Sequence, residues 1–362
     1  MLNVTSPHPS APQRSAPQRS APQRRLDLAN KLLRACVALV SAFFAGSLLL
    51  GVSGCSGQGD NENSDYVTRV ASLKGPTSIG LLNMMEKAKN NEFPEKYDFS
   101  IEATADVISQ KILQNEIDVA LIPANMASIL YNKTNGEVRV LDVCANSVLD
   151  IVAQVGTVSS FTDVAGKTIY TMGKGTSPEY VLNYLLQQAG LTSAVHVEFK
   201  QEAAEVIQAL ADDPAAIAVL PQPFATVAPT KVSGFEIAMD LESAWEEYAP
   251  EGSRLVCGVT VLRQQYLEEH ERLAEEFVRH QDDSVKKALN QIGDTAKLVA
   301  KYGIVENEEI AKKAIPYCGL SCTRNEDMRR AVNGYLTVLS SMDAASIGGS
   351  VPDEHFYISE TF

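Results

Sequence analysis

Catalytic signatures are missing from this sequence. Its five histidines, His8, His196, His270, His280 and His355, show no metal-ligand spacing, and neither a G-x-S-x-G turn nor an H-E-x-x-H helix occurs. That excludes the usual frameworks of α/β-hydrolases and zinc peptidases. Gly166-Lys167-Thr168 resembles the end of a phosphate-binding P-loop, but Phe161 stands where the first glycine is required, so nucleotide hydrolysis is excluded at this turn. Basic surface is also scarce. The formal charge is −14, and residues 1–54 hold six of the Lys and Arg residues against one acid, Asp27. The rest of the chain carries 25 basic and 44 acidic residues, a net −19. A body so acidic lacks the cationic surface that nucleic-acid phosphates need, and no nucleic-acid partner is expected. Aromatic residues make up only 7% of the chain, with one tryptophan, Trp245.

The first 54 residues form a sequence class of their own. Residues 10–24 are three tandem copies of Ser-Ala-Pro-Gln-Arg, low in complexity and unable to bury a core. Lys31 and Arg34 precede an uncharged run from Ala35 to Gly54, long enough to span a membrane. Small residues, Val52-Ser53-Gly54, stand before Cys55 and the polar spacer SGQGDNENSD. Basic residues, an apolar run and a small-residue close describe a secretory leader. Val-Ser-Gly-Cys further resembles a bacterial lipobox, which implies lipidation at Cys55; an uncleaved anchor gives the same topology. The expected location is therefore extracytoplasmic, held to the bacterial cell membrane by an N-terminal lipid.

With Cys36 in the leader and Cys55 lipidated, Cys144, Cys257, Cys318 and Cys322 remain. Outside the cytoplasm such thiols can pair. Cys318-Gly-Leu-Ser-Cys322 follows Pro316 and suits a local disulfide in a turn; no second Cys or His pair supports a zinc site there. Cys144 and Cys257 lie in apolar, strand-like stretches, as buried thiols or a second pair.

The remaining chain alternates short apolar strands with helices, which signals an α/β architecture. Arg69–Lys87 reads as a strand, a Gly75-Pro76 turn and a helix that Thr77 or Ser78 can cap. Ile117–Pro123 is a buried strand ending in a breaker, and Ala124, Asn125 and Met126 open the next helix. The opening arrangement recurs at Thr168–Leu186, where Gly173, Lys174, Gly175, Thr176, Ser177 and Pro178 lie between the strand Thr168–Thr171 and a helix to Gln188. Strand His196–Phe199, helix Ala203–Ala211 and strand Ala216–Leu220 follow, the last ending at Pro221-Gln222-Pro223-Phe224. Pro229–Gly252 is polar, Leu255–Leu262 a strand, and Tyr266–Ile292 a long helical pattern. There His270 and His280 read as solvated, and His355 in the C-terminal loop as packing.

These residues together resemble the solute-binding proteins of ABC importers, more narrowly the group for nitrate, sulfonates, taurine and thiamine-pyrimidine precursors. The resemblance covers residues 66–362 and rests on the lipobox, SLKGPTSIGL, DVALIPANMA, DVAGKTIY, GKGTSPEYVLNYLL and the GG-x-x-P-D-x-x-F-Y tail. It implies a two-lobed periplasmic-binding-protein type II fold, each lobe a mixed sheet flanked by helices. On that pattern residues 1–54 are leader, 55–65 a tether, 66–147 and 256–362 lobe one, and 148–255 lobe two. Ligand contacts are implied at Gly75, Pro76, Thr77, Ser78, Asn125 and Met126 of lobe one, and at Lys174, Gly175, Thr176, Ser177, Gln222 and Phe224 of lobe two. Helix N-termini and hydroxyls there suit an acceptor-rich group. Two features depart from the pattern. A Cys-rich stretch of some pyrimidine-precursor binders is absent, and no arginine lies in the proposed loops to clamp an anion.

The implied function is non-catalytic. A monomeric lipoprotein captures a small molecule between the lobes, a sulfonate-, nitrate- or taurine-like or heterocyclic organic solute, and delivers it to an ABC permease and ATPase complex, with no cofactor, metal or catalytic residue assigned. A ligand sensor acting on a membrane kinase, or an exported enzyme on the same fold, are the alternatives.

Overall fold

A computed structural model describes residues 65–358. The leader, Cys55 and the tether as far as residue 64 lie outside the described residues. Strand β1 (Val67–Leu73) runs into a Gly-Pro turn, the short helix α1 (Pro76–Ile79) and α2 (Leu82–Lys89). Gly75 adopts φ 143°, which a residue with a Cβ rarely adopts, and Pro76 takes the first helical position, where no N–H is needed. β2 (Lys96–Glu102), α3 (Ala105–Leu113), β3 (Val119–Pro123), α4 (Ala124–Thr134) and β4 (Val138–Ala145) complete the first run. β3 is buried at every position, as its unbroken apolar sequence requires.

The chain then crosses to a second sheet. It comprises β5 (Leu149–Gln154), β6 (Thr168–Thr171), α5 (Ser177–Gln188), β7 (His196–Phe199), α6 (Ala203–Asp212), β8 (Ile217–Pro221), α7 (Phe224–Lys231), β9 (Phe235–Asp240) and α8 (Leu241–Tyr248). β10 (Gly258–Arg263) returns to the first sheet, followed by α9 (Gln264–Glu269), α10 (Glu271–Asn290), α11 (Ile292–Lys301), α12 (Glu308–Ala314), β11 (Leu320–Thr323) and α13 (Asn325–Met342). The sheets have strand orders β11-β4-β10-β3-β1-β2 and β7-β6-β8-β5-β9. Each is mixed: β1 is parallel to β2 and β3, and β6 to β7 and β8, while β10 and β5 run antiparallel to their neighbours. Two mixed sheets flanked by helices are the fold class expected above.

Register in the first sheet is fixed by a buried carboxylate. Asp118 accepts from Arg69 Nε at 2.9 Å, Arg263 Nη2 at 2.9 Å and Tyr66 Oη at 3.1 Å. β10, which arrives from the far end of the sequence, is thereby joined to the start of β3 and to β1. Burial alone would raise the Asp118 pKa, but the two guanidinium groups outweigh it and hold the carboxyl below its ordinary value.

Three expectations change. The segment Pro229–Gly252 is polar in composition, yet it forms β9 and α8 and buries Trp245 completely. One face of α8 supplies Leu241, Ala244 and Trp245 to the core, so its charges lie on the opposite face. The helical pattern Tyr266–Ile292 breaks at His270, whose φ of −137° is outside the helical range, dividing α9 from α10. β11 and α13 fall where the sequence patterns named no element, although α13 buries Met328, Val332, Tyr335, Leu336 and Leu339 at helical spacing.

Among the described residues no helix is long and apolar enough to cross a membrane.

Candidate functional site

A cavity of about 110 Å³ lies between the two sheets. Leu73, Lys74, Pro76 and Thr77, following β1, form one wall with Ala103 and Pro123 from the ends of β2 and β3. The opposite wall is Met172, Gly173, Thr176, Ser177 and Pro178 after β6, with Pro221 and Phe224 after β8. The two crossovers close the back with Ala145, Val148, Leu149, Cys257 and Gly258. Carboxyl ends of parallel strands from both sheets thus converge, as open α/β sheets arrange their ligand crevices.

Of the residues implied by the resemblance, Pro76, Thr77, Thr176, Ser177 and Phe224 line this cavity. Gly75, Ser78, Asn125, Met126, Lys174, Gly175 and Gln222 are not among its lining residues. Ser78 is fully buried and shares hydrogen bonds with Ser72 Oγ and the Leu73 carbonyl, both at 2.8 Å. Met126 packs into the core, and Lys174 is exposed. Gln222 is spent on neighbours: its Nε2 donates to Asp150 Oδ2 and its Oε1 accepts from Thr226 Oγ1, each at 2.8 Å. Asn125 joins the sheets directly. Its Nδ2 donates to the Gly175 carbonyl at 3.3 Å and the Ser346 carbonyl at 3.2 Å, fastening the start of α4 to the second Gly-rich turn.

Neither Thr77 nor Ser78 caps a helix, contrary to expectation. Gly75 holds the N-cap position, and both hydroxyls turn back to the end of β1, Thr77 Oγ1 donating to Leu73 O at 2.6 Å. Thr176 sits at the N-cap of α5 but donates to Gly173 O at 2.6 Å. The N–H that an anion would seek there, that of Gly175, donates to Glu179 Oε2 at 2.6 Å. The chain's own carboxylate therefore already serves the positive end of α5. Ser177 differs, because its buried Oγ has no hydrogen-bond partner.

Sequence reasoning missed most of the apolar lining. Met172, Val148, Leu149 and Cys257 look like any strand-core residue, and only the fold brings them together. Gly258 alone carried a signal, a glycine inside the strand pattern LVCGVTVL. A Cβ there would lie 2.9 Å from Thr77 Cγ2 and 3.3 Å from Ala145 Cβ.

The proposed local disulfide is not formed. Cys318 and Cys322 are both free thiols: Cys318 Sγ donates to Ala314 O at 3.3 Å, while β11 points Cys322 Sγ to Asp142 Oδ2 at 3.6 Å. The intervening Gly319–Ser321 extends into the strand instead of turning. Cys144 and Cys257 are free as well, and burial pushes the Cys257 thiol up to about 12. The histidines also depart from their expected settings. His280 is only 3% exposed, whereas His355 is exposed beside buried Phe356 and Tyr357.

Two carboxyls are buried in the sheets, one of them, Asp150, next to the cavity-lining Leu149. Asp150, one residue beyond Leu149, is pushed up to about 7 by burial, with Asp240 nearby adding to the effect and the Gln222 hydrogen bond opposing it. Asp142 is also pushed to about 7 by burial, despite bonds from Thr260 Oγ1 at 2.8 Å and Gln281 Nε2 at 3.3 Å. A carboxyl with a raised folded pKa holds its proton in the folded state after the unfolded chain has lost it. Between pH 4 and 7 each therefore makes stability fall as pH rises, by roughly 1 kcal/mol per pH unit. Asp118 has the opposite sign, and its contribution is lost below pH 4. The urea midpoint is thus expected to be higher at pH 5 than at pH 8, with the difference reduced in Asp150→Asn. Equal midpoints at the two pH values would refute this.

Residues 79–339 match a family model described as menaquinone biosynthesis. No curated protein matches the chain. Similar solved structures include an ABC transporter from Parabacteroides distasonis, with a TM-score of 0.68 and 22% identity over 82% of this chain and 100% of that one. The periplasmic aliphatic sulphonate binding protein SsuA from Escherichia coli gives 0.65 and 12%, over 79% and 90%. The alkanesulfonate-binding protein SsuA from Xanthomonas axonopodis pv. citri, bound to MOPS, gives 0.61 and 13%, over 79% and 94%. At these identities the likeness concerns the fold, that of periplasmic binding proteins.

Proposed function

The chain belongs to the menaquinone biosynthesis family, and we propose that it is an extracytoplasmic solute-binding protein that holds a small, neutral and largely apolar molecule for an ABC importer. The observation that carries this reading is the chemistry of the cavity. Its walls are Leu, Val, Met, Pro, Ala and Phe side chains from both sheets, with Lys74 as the single cationic side chain among the lining residues. An alkanesulfonate or nitrate needs charged or N–H donors. Here the Gly175 N–H is already taken by Glu179, and the Thr77 and Thr176 protons by backbone carbonyls. What remains is an apolar slot with few hydrogen-bonding groups, Lys74 among them, the usual composition of a site for a neutral organic molecule. A ring compound with one or two polar substituents fits these walls.

The lipobox at Val52–Cys55 supports export and lipid anchoring, with a permease and ATPase as partners. The family description favours a second reading, an enzyme acting on such a ring compound. Mass spectrometry of the solute released from purified protein, followed by calorimetry with that solute, tests the first reading. A neutral organic compound recovered unchanged supports capture. Conversion of the compound on incubation would establish the enzyme instead, and tight binding of alkanesulfonates alone would overturn the ligand class. Thr77→Ala combined with Thr176→Ala is expected to weaken binding about tenfold, because both threonines line the cavity and their oxygens, although donating to backbone carbonyls, keep lone pairs that accept from the solute. Undiminished affinity would remove both threonines from the site.

A further inference from the structure

Away from the cavity, on the first sheet's β2 edge, a buried carboxylate oxygen has no partner. Glu95 precedes β2, its side chain is 5% exposed, and Arg272 Nη1 binds its Oε1 at 3.0 Å, while its Oε2 has no hydrogen-bond partner. An uncompensated anionic oxygen in such a place is costly unless a cation meets it. Two more donors stand beside it. Glu276 and His280, one turn apart on α10, share a helix face, and one ligand atom from each of the three residues lies within 4.8 Å of the others.

The histidine is already oriented as a metal ligand. An arginine can only donate, so Arg279 Nη2, 2.9 Å from His280 Nε2, finds a lone pair there. Nδ1 then carries the proton and donates to Tyr97 Oη at 3.0 Å. Phe93 stacks on the ring with centroids 3.8 Å apart, fixing its plane. A hydrogen bond from the second ring nitrogen is what sets the tautomer in metal-binding histidines.

We propose that Glu95, Glu276 and His280 form a site for a zinc-class divalent cation, and that Arg279 is the displaceable cation that covers it when the metal is absent. Carboxylate oxygen and imidazole nitrogen are both zinc ligands, and three protein ligands with water as the fourth is the arrangement of an open zinc site. Metal–ligand bonds of about 2 Å put tetrahedral ligands about 3.3 Å apart, so closure from the present spacing is a side-chain adjustment. Arg279 is ion-paired to Glu276 and is 60% exposed, so its guanidinium can swing into solvent without disturbing the core.

Calorimetric titration of the full chain with Zn²⁺ alone, with circular dichroism to verify folding, tests the site. One equivalent should bind. Glu95→Gln and Glu276→Gln, the latter side chain 28% exposed, should each weaken it about tenfold or more, because the charged carboxylate ligand is lost. Arg279→Ala should strengthen it by about fivefold, because a competing surface ion pair is removed. A site elsewhere on the chain would leave affinity unchanged in Glu276→Gln, and that result overturns the proposal. So would the absence of binding, or unchanged or weaker binding in Arg279→Ala.

Discussion

Replacing Trp245 by alanine is expected to lower the unfolding free energy by about 4 kcal/mol, the cost of emptying a large buried aromatic site. The chain's one tryptophan is fully buried, and its surroundings make collapse into the void difficult. Its ring lies 5.1 Å from that of Tyr184 on α5 and 5.6 Å from that of Tyr335 on α13, and its Nε1 donates to Ser253 Oγ at 3.2 Å. α5 and α8 flank the second sheet, whereas α13 follows β11 of the first. The indole is therefore a shared core residue on which helices of both sheets rest, beside the second crossover. Truncation should lower the urea midpoint measured by far-ultraviolet circular dichroism, and Trp245→Phe should restore more than half of the loss. A midpoint unchanged in Trp245→Ala would mean that the helices do not depend on this contact.

That residue also shows where sequence patterns run out. Strands such as Thr168–Thr171 and His196–Phe199 were legible to the residue, because a short alternation rich in β-branched and aromatic residues has few other meanings. Around Trp245 the sequence LESAWEEY shows three acids and two aromatics against little else, and its apolar stripe has meaning only once α13 is known to lie across it. α13 itself has a clear helical stripe, so nothing physical concealed it. The long pattern ending at Ile292 failed differently. Its apolar spacing continues through His270, and only the backbone angle there reveals two helices.

Candidate site residues divide along the same line. Pro76, Thr77, Thr176, Ser177 and Phe224 follow strands and were legible as loop residues in repeated turns. Asn125 and Gln222 have the same local signature, but tertiary partners take the Asn125 amide N–H groups and both polar atoms of Gln222: Asn125 Nδ2 fastens the Gly175 turn, and Gln222 Nε2 donates to Asp150. A side-chain amide in a loop is equally suited to a ligand and to a buried carboxyl, and the sequence cannot say which is nearer. The apolar lining is the extreme case, since crossover residues such as Val148 and Cys257 are contiguous with strands and gain their role from the gap between sheets.

Gly258→Val is expected to lower solute affinity about 100-fold, equivalent to about 2.7 kcal/mol, by overpacking the floor of the cavity. A Cβ at Gly258 would lie 2.9 Å from Thr77 Cγ2, 3.3 Å from Ala145 Cβ and 3.4 Å from Cys144 Sγ, and valine adds two methyl groups to that contact. Cys144 and Ala145 belong to β4, which pairs with β10 here, so they cannot retreat without breaking the ladder. Thr77 is tethered by its bond to the Leu73 carbonyl, and therefore the Gly75–Thr77 turn as a unit must shift toward the second sheet. That shift closes a cavity of only about 110 Å³. The Thr77 contact also offers a rescue. Gly258→Ala combined with Thr77→Ser removes the Cγ2 methyl but keeps the hydroxyl and its tether, and should bind within about threefold of the unaltered protein. Calorimetry with the released solute, on variants whose circular dichroism is unchanged, measures both effects. Full affinity in a folded Gly258→Val protein would place the solute somewhere other than between these two turns.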